Sequence, residues 1–166
     1  YLSELNMSEA IIRIEDLHAG YEGKQILSDI NAEIYAEDIT VILGASGSGK
    51  TTLLRNILGL SQPSSGKIEL LGKDITKINE KEFNELLTRI GMVFQQGALL
   101  ESVSLADNVA VPLTQHTNLK KTIISRIVKN KLDLVGLSDY AAVYPAELSG
   151  GMRKRAARGR GIGLDP

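Results

Sequence analysis

Residues 44–51 read GASGSGKT, and the sequence on either side of them decides the architecture. Upstream, residues 39–44 (ITVILG) form a continuous apolar run of the kind carried by a strand covered on both faces. Downstream, Leu53, Leu54, Ile57 and Leu58 fall at helical spacing, and Gly59 is a suitable stop. Strand, glycine loop and helix in that order give the pattern G-x-x-x-x-G-K-[ST] the context a phosphate-binding loop needs. Gly44, Gly47 and Gly49 allow positive φ and a close backbone approach, so that successive N–H groups from Gly44 through Ala45, Ser46, Gly47, Ser48 and Gly49 can address phosphate oxygens. The start of the helix, Lys50 to Thr52, adds its positive end. Lys50 brings a full charge to the β and γ oxygens, and the Thr51 hydroxyl is a ligand for Mg²⁺. The bland alternative is a glycine turn with a solvated lysine. A loop of this kind indicates nucleotide binding without saying what for.

The composition narrows the field. With 166 residues, 43% apolar and 23% charged, the chain has the size and make-up of one globular domain. A net charge of -1 argues against binding a polyanion through bulk electrostatics, so no nucleic-acid partner is expected. The absence of cysteine removes disulfides and thiolate metal sites and is compatible with a reducing cytoplasm. No apolar run approaches the roughly 20 residues that cross a bilayer, and the opening YLSELNMSEA lacks a secretory pattern. Residues 1–10 are set apart as a leader or N-terminal extension, with Met7 a candidate start.

Working outward, IIRIEDL is partly alternating, and ILSDINAEIY sets Ile30, Ala32 and Ile34 against polar neighbours. Both read as strands. QPSSG is a turn, KIELLG a short strand, and NEKEFNELLTR a helix with Asn79 as N-cap and Glu82 three residues on. IGMVFQ returns to strand. SLADNVAVPL then opens a region of helical spacing, expected to break at Pro112. A second helix follows with Ile123, Ile124, Ile127, Val128, Leu132 and Val135 on its apolar side. The expected division is residues 11–103 as a β subdomain with the phosphate-loop core, and residues 104–166 as an α-helical subdomain.

In this order the motifs resemble the ATP-binding subunit of ABC transporters over nearly all of residues 11–166. The resemblance implies an α/β fold of the P-loop NTPase class, with an N-terminal antiparallel β subdomain, an incomplete RecA-like core and an inserted α-helical subdomain. Tyr21 in AGYEGKQIL matches the family's adenine-stacking aromatic, although a tyrosine packed in the strand layer is the ordinary alternative. Gln95, after GMVF, looks like the glutamine that senses the γ-phosphate and Mg²⁺; Gln96 beside it is the other candidate. LSGG, Leu148 to Gly151, matches the family signature, in which Ser149, Gly150 and Gly151 complete the ATP site of the opposite subunit. MVFQQGALLESVSLADNVAVPL and ELSGGMRKRAA resemble the ATPase subunits of Mla-type, MCE-associated phospholipid transporters more than sugar or peptide importers.

The resemblance therefore implies ATP and Mg²⁺ as cofactors, a transmembrane permease and a second ATP-binding subunit in a head-to-tail dimer as partners, and a cytoplasmic place at the inner face of the membrane. His18 and His116 match no family position and read as ordinary surface or packing residues. The basic run Arg153 to Arg160 reads as a solvated helix face, with phosphate or nucleic-acid contact as the minority alternative.

Two departures stand out. The family's hydrolytic strand, ending in Asp-Glu, has no counterpart in residues 1–166, nor has the switch histidine. The chain is thus expected to be a truncated or incompletely recorded cassette that binds nucleotide with little turnover. And where the family pattern is alanine- and leucine-rich, this chain has Arg158 and glycines at 159, 161 and 163, costing on the order of 3 kcal/mol in helix propensity. Fraying from about Arg158 is the consequence expected. Two other readings remain: a nucleotide-binding or interaction fragment without turnover, and an LSGG-type ATPase acting on DNA, which would need a long coiled-coil insertion that is not present.

Overall fold

A long hairpin opens the fold: β1, Ala10–Tyr21, pairs antiparallel with β2, Lys24–Tyr35. The partial alternation of β1 has a local cause. Asp16 takes a left-handed φ of 46° and donates its N–H to the Asn31 side chain, and the register shifts there. That irregularity lets Ile14 and Leu17, three apart, both reach the core with Ala19. On the other side β1 pairs with β3, Ser65–Leu70, which pairs in turn with β4, Lys73–Asp74. The four-stranded order is β2-β1-β3-β4, all antiparallel.

The computed structural model describes residues 10–21, 23–94 and 97–165, and they divide into two compact units between Asn84 and Glu85. In the first, Ile14, Leu17, Ala19, Leu27, Ile68 and Leu70 form the buried face of the sheet, joined by Ile57 of helix α1, Lys50–Ile57. Leu58 caps that helix and Gly59 follows at φ 61°, so the stop expected there is realised. Helix α2, Glu80–Leu87, begins as its sequence indicates: the Asn79 Oδ1 accepts the Glu82 N–H at 3.0 Å.

The run at residues 39–43 is a correction. It pairs with no strand among the described residues, and Ile39 is 94% exposed. Apolar, β-prone composition supplies a preference, whereas a strand exists only through its ladder partners, and neither β2 nor β4 takes this segment. Residues 91–94 likewise form no strand, with Val93 and Phe94 half exposed.

The second unit is helical. Helices α3, Leu105–His116, α4, Lys121–Leu134, and α5, Gly150–Gly161, enclose a core of Leu99, Leu105, Val109, Leu113, Ile124, Val128, Leu132, Leu137, Leu148, Ala156 and Ala157. Helix α3 does not break at Pro112 but runs through it. Proline there removes one backbone bond, and burial of Val109 and Leu113 on either side offsets the loss. Buried Asn108 ties the helix to the preceding loop, accepting the Leu100 N–H at 2.8 Å and donating to the carbonyls of Leu100 and Ser104 at 3.0 Å.

Helix α5 also outlasts its expectation, continuing to Gly161 rather than fraying at Arg158. Gly161, and Gly163 just past the helix end, sit at close approaches that tertiary packing rewards. A Cβ on Gly161 would lie 3.0 Å from Val93 Cγ2, and one on Gly163 would lie 2.8 Å from Pro112 Cγ. Gly159, buried between Val109 and Val135, has room for a methyl at 3.5 Å. The basic run is likewise not simply solvated. Arg155 donates to the carbonyls of Val135 and Gly136 at 3.0 and 3.1 Å, closing the end of α4, and Arg160 donates to that of Ala98 at 2.7 Å. Arg153 pairs with Glu101 and donates to the Pro145 carbonyl. Lys154 and Arg158 remain exposed.

Candidate functional site

The loop before α1 is shaped by three glycines for two reasons. Gly47 and Gly49 take φ of 80° and 92°, where L-residues are strained. Gly49 is also hemmed in: a Cβ there would lie 2.6 Å from Leu27 Cδ2 and 2.9 Å from Ile26 Cγ2, both on β2. Gly44 does not need positive φ, contrary to expectation; its constraint is space, since a Cβ would meet Ser48 Oγ at 2.6 Å. The loop therefore closes on itself and leans on β2 only because these positions lack side chains.

Lys50 Nζ donates to the carbonyls of Gly44 at 2.9 Å and Ala45 at 2.7 Å, with Ser48 Oγ at 3.4 Å. Its ammonium is thus held across the mouth of the loop. Helix α1 begins with Gly49 as a left-handed N-cap, no side chain bonds to its first N–H groups, and its first turn carries no acidic residue. That end keeps its donors and its positive partial charge available to an anion. Ala45, Ser46, Ser48 and Thr51 are exposed, Thr52 is half-buried, and the Thr51 hydroxyl makes no side-chain hydrogen bond among the described residues.

Tyr21 ends β1 opposite Lys24, at the turn of the hairpin. It is 70% exposed rather than packed in the strand layer. With His18, Lys24, Gln25 and Ser65 it lines an open cleft of about 410 Å³. The same strand β2 that starts opposite Tyr21 supplies, two and three residues on, the Ile26 and Leu27 wall behind Gly49. One strand thus ties the aromatic and the phosphate loop together, a link that spacing along the chain does not reveal. His18 is held by Gln25 at 2.9 Å and Asp29 at 3.1 Å, as an ordinary strand-surface residue. His116 ends α3 and lines a shallow cleft with Pro112 and Arg160.

Ser149 is the N-cap of α5, its Oγ accepting the Met152 N–H at 3.3 Å. Because that bond uses a lone pair, the hydroxyl proton is still free to be donated. Gly150 and Gly151 are exposed, and nothing lies within 4 Å of where their Cβ atoms would be. No packing among the described residues demands glycine there. Gln95 and Gln96 lie outside the described residues.

These features have counterparts in known proteins. The family profile described as ABC transporter matches residues 27–162. The intermembrane phospholipid transport system ATP-binding protein MlaF of Haemophilus influenzae is 43% identical over 160 residues, 96% of this chain and 61% of MlaF. The probable ribonucleotide transport ATP-binding protein mkl of Mycobacterium leprae is 42% identical over 93% of this chain and 45% of its own length. The methionine import ATP-binding protein MetN of Corynebacterium jeikeium is 44% identical over 84% of this chain and 38% of its own. Among solved structures, the dimeric ATP-binding cassette MJ0796 in a post-hydrolysis state bound to ADP and Pi superimposes with a TM-score of 0.86 at 25% identity, covering 93% of this chain and 70% of that one. The chain thus spans about two-fifths to three-fifths of the curated relatives it matches. Taken with the fold of the two units and the phosphate loop between β2 and α1, the match over residues 27–162 means that the chain belongs to the ABC transporter family and carries its ATP-binding domain.

Proposed function

We propose that this chain binds Mg-ATP through residues 44–52 and Tyr21, and serves a second nucleotide through Ser149, Gly150 and Gly151. The observation that carries the reading is Lys50, whose ammonium spans the loop mouth beside a helix end with unused donors. The site fits a polyphosphate: glycine positions admit close approach, and Lys50 brings a positive charge to the loop. Among the described residues no cluster of three or more His, Asp or Glu could hold a metal alone. Thr51 is the residue of this loop that would hold Mg²⁺, with Gln95 the further candidate from the sequence, and the ion would supply charge neutralisation at the phosphates. Tyr21 adds a stacking surface, worth roughly 1–3 kcal/mol and indifferent to the base.

The exposed glycines at the head of α5 favour a partner subunit's γ-phosphate as the group that approaches them, in a head-to-tail dimer of cassettes. On the larger scale, the parent protein is read as the cytoplasmic energising subunit of a lipid transporter, working against a transmembrane permease; no described helix is itself long and apolar enough to cross a membrane. The MlaF relative supports a phospholipid cargo. On this reading residues 11–103 hold one nucleotide and residues 104–166 address the other. Competition against a fluorescent nucleotide tests the site chemistry. ATP and GTP should compete within several-fold of each other, and AMP should be weaker by more than about 100-fold. Equal competition by AMP would remove the phosphate cradle from the account. ATP-driven movement of a labelled phospholipid by the parent protein and its permease in vesicles tests the cargo, and movement of methionine instead would overturn it.

A further inference from the structure

Helix α4 carries its charges against its own dipole. Lys120 is its N-cap and Lys121 its first residue, with no side-chain cap and no acidic residue in the first turn. Its one carboxylate, Asp133, stands near the opposite end. Cations at the N-terminus and an anion at the C-terminus oppose the macrodipole at both ends, so the helix itself gains nothing from this arrangement. Arg126 and Lys129 lie between, and all four basic residues are exposed. Among the described residues none of the four pairs with a carboxylate. Lys131 is the contrast: it is buried and pairs with Asp165.

Aliphatic side chains accompany these charges on the outside of the helix. Ile123 is 42% exposed and Leu134 71%, and Leu119, just ahead of the cap, is 39% exposed. Leu134 follows Ile123 by about three turns, so the two share one flank. Arg126, three residues on from Ile123, borders that flank, and Lys129 stands three on from Arg126. The other side of the helix places Ile124, Val128 and Leu132 in the core of this unit. The helix therefore lies flat on the unit, buried along one side and open along the other for about 20 Å.

We propose that the open side of α4 is a docking surface for an anionic phospholipid membrane, with Lys120, Lys121, Arg126 and Lys129 at the lipid phosphates and Ile123 and Leu134 entering the headgroup boundary. The charges select an anionic partner, and the exposed aliphatic side chains select one with an apolar layer beneath its charges. A lipid surface offers both and moulds itself to a convex helix, whereas an acidic protein would need a pocket for each anchor. Four cations or a few aliphatic side chains hold a membrane weakly when alone, and together they supply two signals. With a net charge of -1 on the whole chain, the attraction is local to this helix. The inference goes beyond the nucleotide reading and does not depend on it.

The test is co-sedimentation of the intact protein with vesicles of phosphatidylcholine alone and with vesicles containing about one-third phosphatidylglycerol. The anionic vesicles should bind at least about tenfold more tightly, and raised salt should release the protein. Replacing both Lys120→Ala and Lys121→Ala should weaken that binding by about tenfold or more, while Lys120→Arg with Lys121→Arg should retain it. Leu134→Gln should weaken it about threefold or more. Nucleotide affinity, unchanged in these variants, reports that they are folded, and Lys50→Ala should bind vesicles as the wild type does. No binding to anionic vesicles, equal binding to both kinds, or binding indifferent to the lysine pair would overturn the proposal. Displacement from the vesicles by polyglutamate, with no effect of Leu134→Gln, would assign the surface to an acidic protein instead and overturn it as well.

Discussion

Leu27 occupies the space that a side chain on Gly49 would need, with its Cδ2 at 2.6 Å from the position of the missing Cβ. The contact joins the phosphate loop to the strand that begins opposite Tyr21. It makes the loop's shape a consequence of the sheet as well as of its own glycines.

Gly49→Ala should therefore be more damaging than Gly47→Ala. Both place alanine at positive φ, costing about 1–2 kcal/mol. Only Gly49 adds an overlap with Leu27 and Ile26, worth a further ~1–3 kcal/mol, since nothing lies within 4 Å of a Cβ on Gly47. Chemical denaturation of the two variants checks the order, and equal midpoints would contradict it.

Gly159 of α5 and Gly163, just past its end, should respond with opposite signs. Gly159→Ala places a methyl in ordinary contact at 3.5 Å and gains about 0.8–1.0 kcal/mol of helix propensity, so it should stabilise. Gly163→Ala drives a methyl to 2.8 Å from Pro112 and should destabilise by about 1–3 kcal/mol. Thermal unfolding of the pair measures both, and a matching sign would refute the packing account.

Asn108→Ala should cost about 1–3 kcal/mol, because it removes a buried side chain that bonds both the N–H and the carbonyl of Leu100. Asn108→Asp should be no better. It restores an acceptor for the N–H but sets a carboxylate against the carbonyls of Leu100, Val103 and Ser104. Urea unfolding of both variants is the check; recovery of wild-type stability in Asn108→Asp would be contrary.

What the sequence made legible was local. The hairpin strands, the glycine loop followed by a helix, the Asn79 cap and the Ser149 start of α5 all follow from residue type and period, and all are present. What it hid depends on partners far along the chain. Residues 39–43 have strand composition but no ladder partner among the described residues. Pro112 and the glycines of α5 violate helix propensity where burial outweighs it. The Arg153–Arg160 run reads as a charged face by composition, yet three of its guanidinium groups are committed to Glu101 or to backbone carbonyls. Within the site, Lys50 and its glycines were readable from the motif, whereas the Ile26–Leu27 wall was not.

The central claim is that Lys50 and the loop it spans form a nucleotide-phosphate site. Titration of a fluorescent ATP analogue into wild-type and Lys50→Ala protein, with Mg²⁺ present, tests it most directly. Removing the ammonium should weaken binding by at least about tenfold while leaving the folded structure intact, since Lys50 is half-buried and, among the described residues, its ammonium bonds to its own loop. Equal affinity in the two proteins would contradict the account.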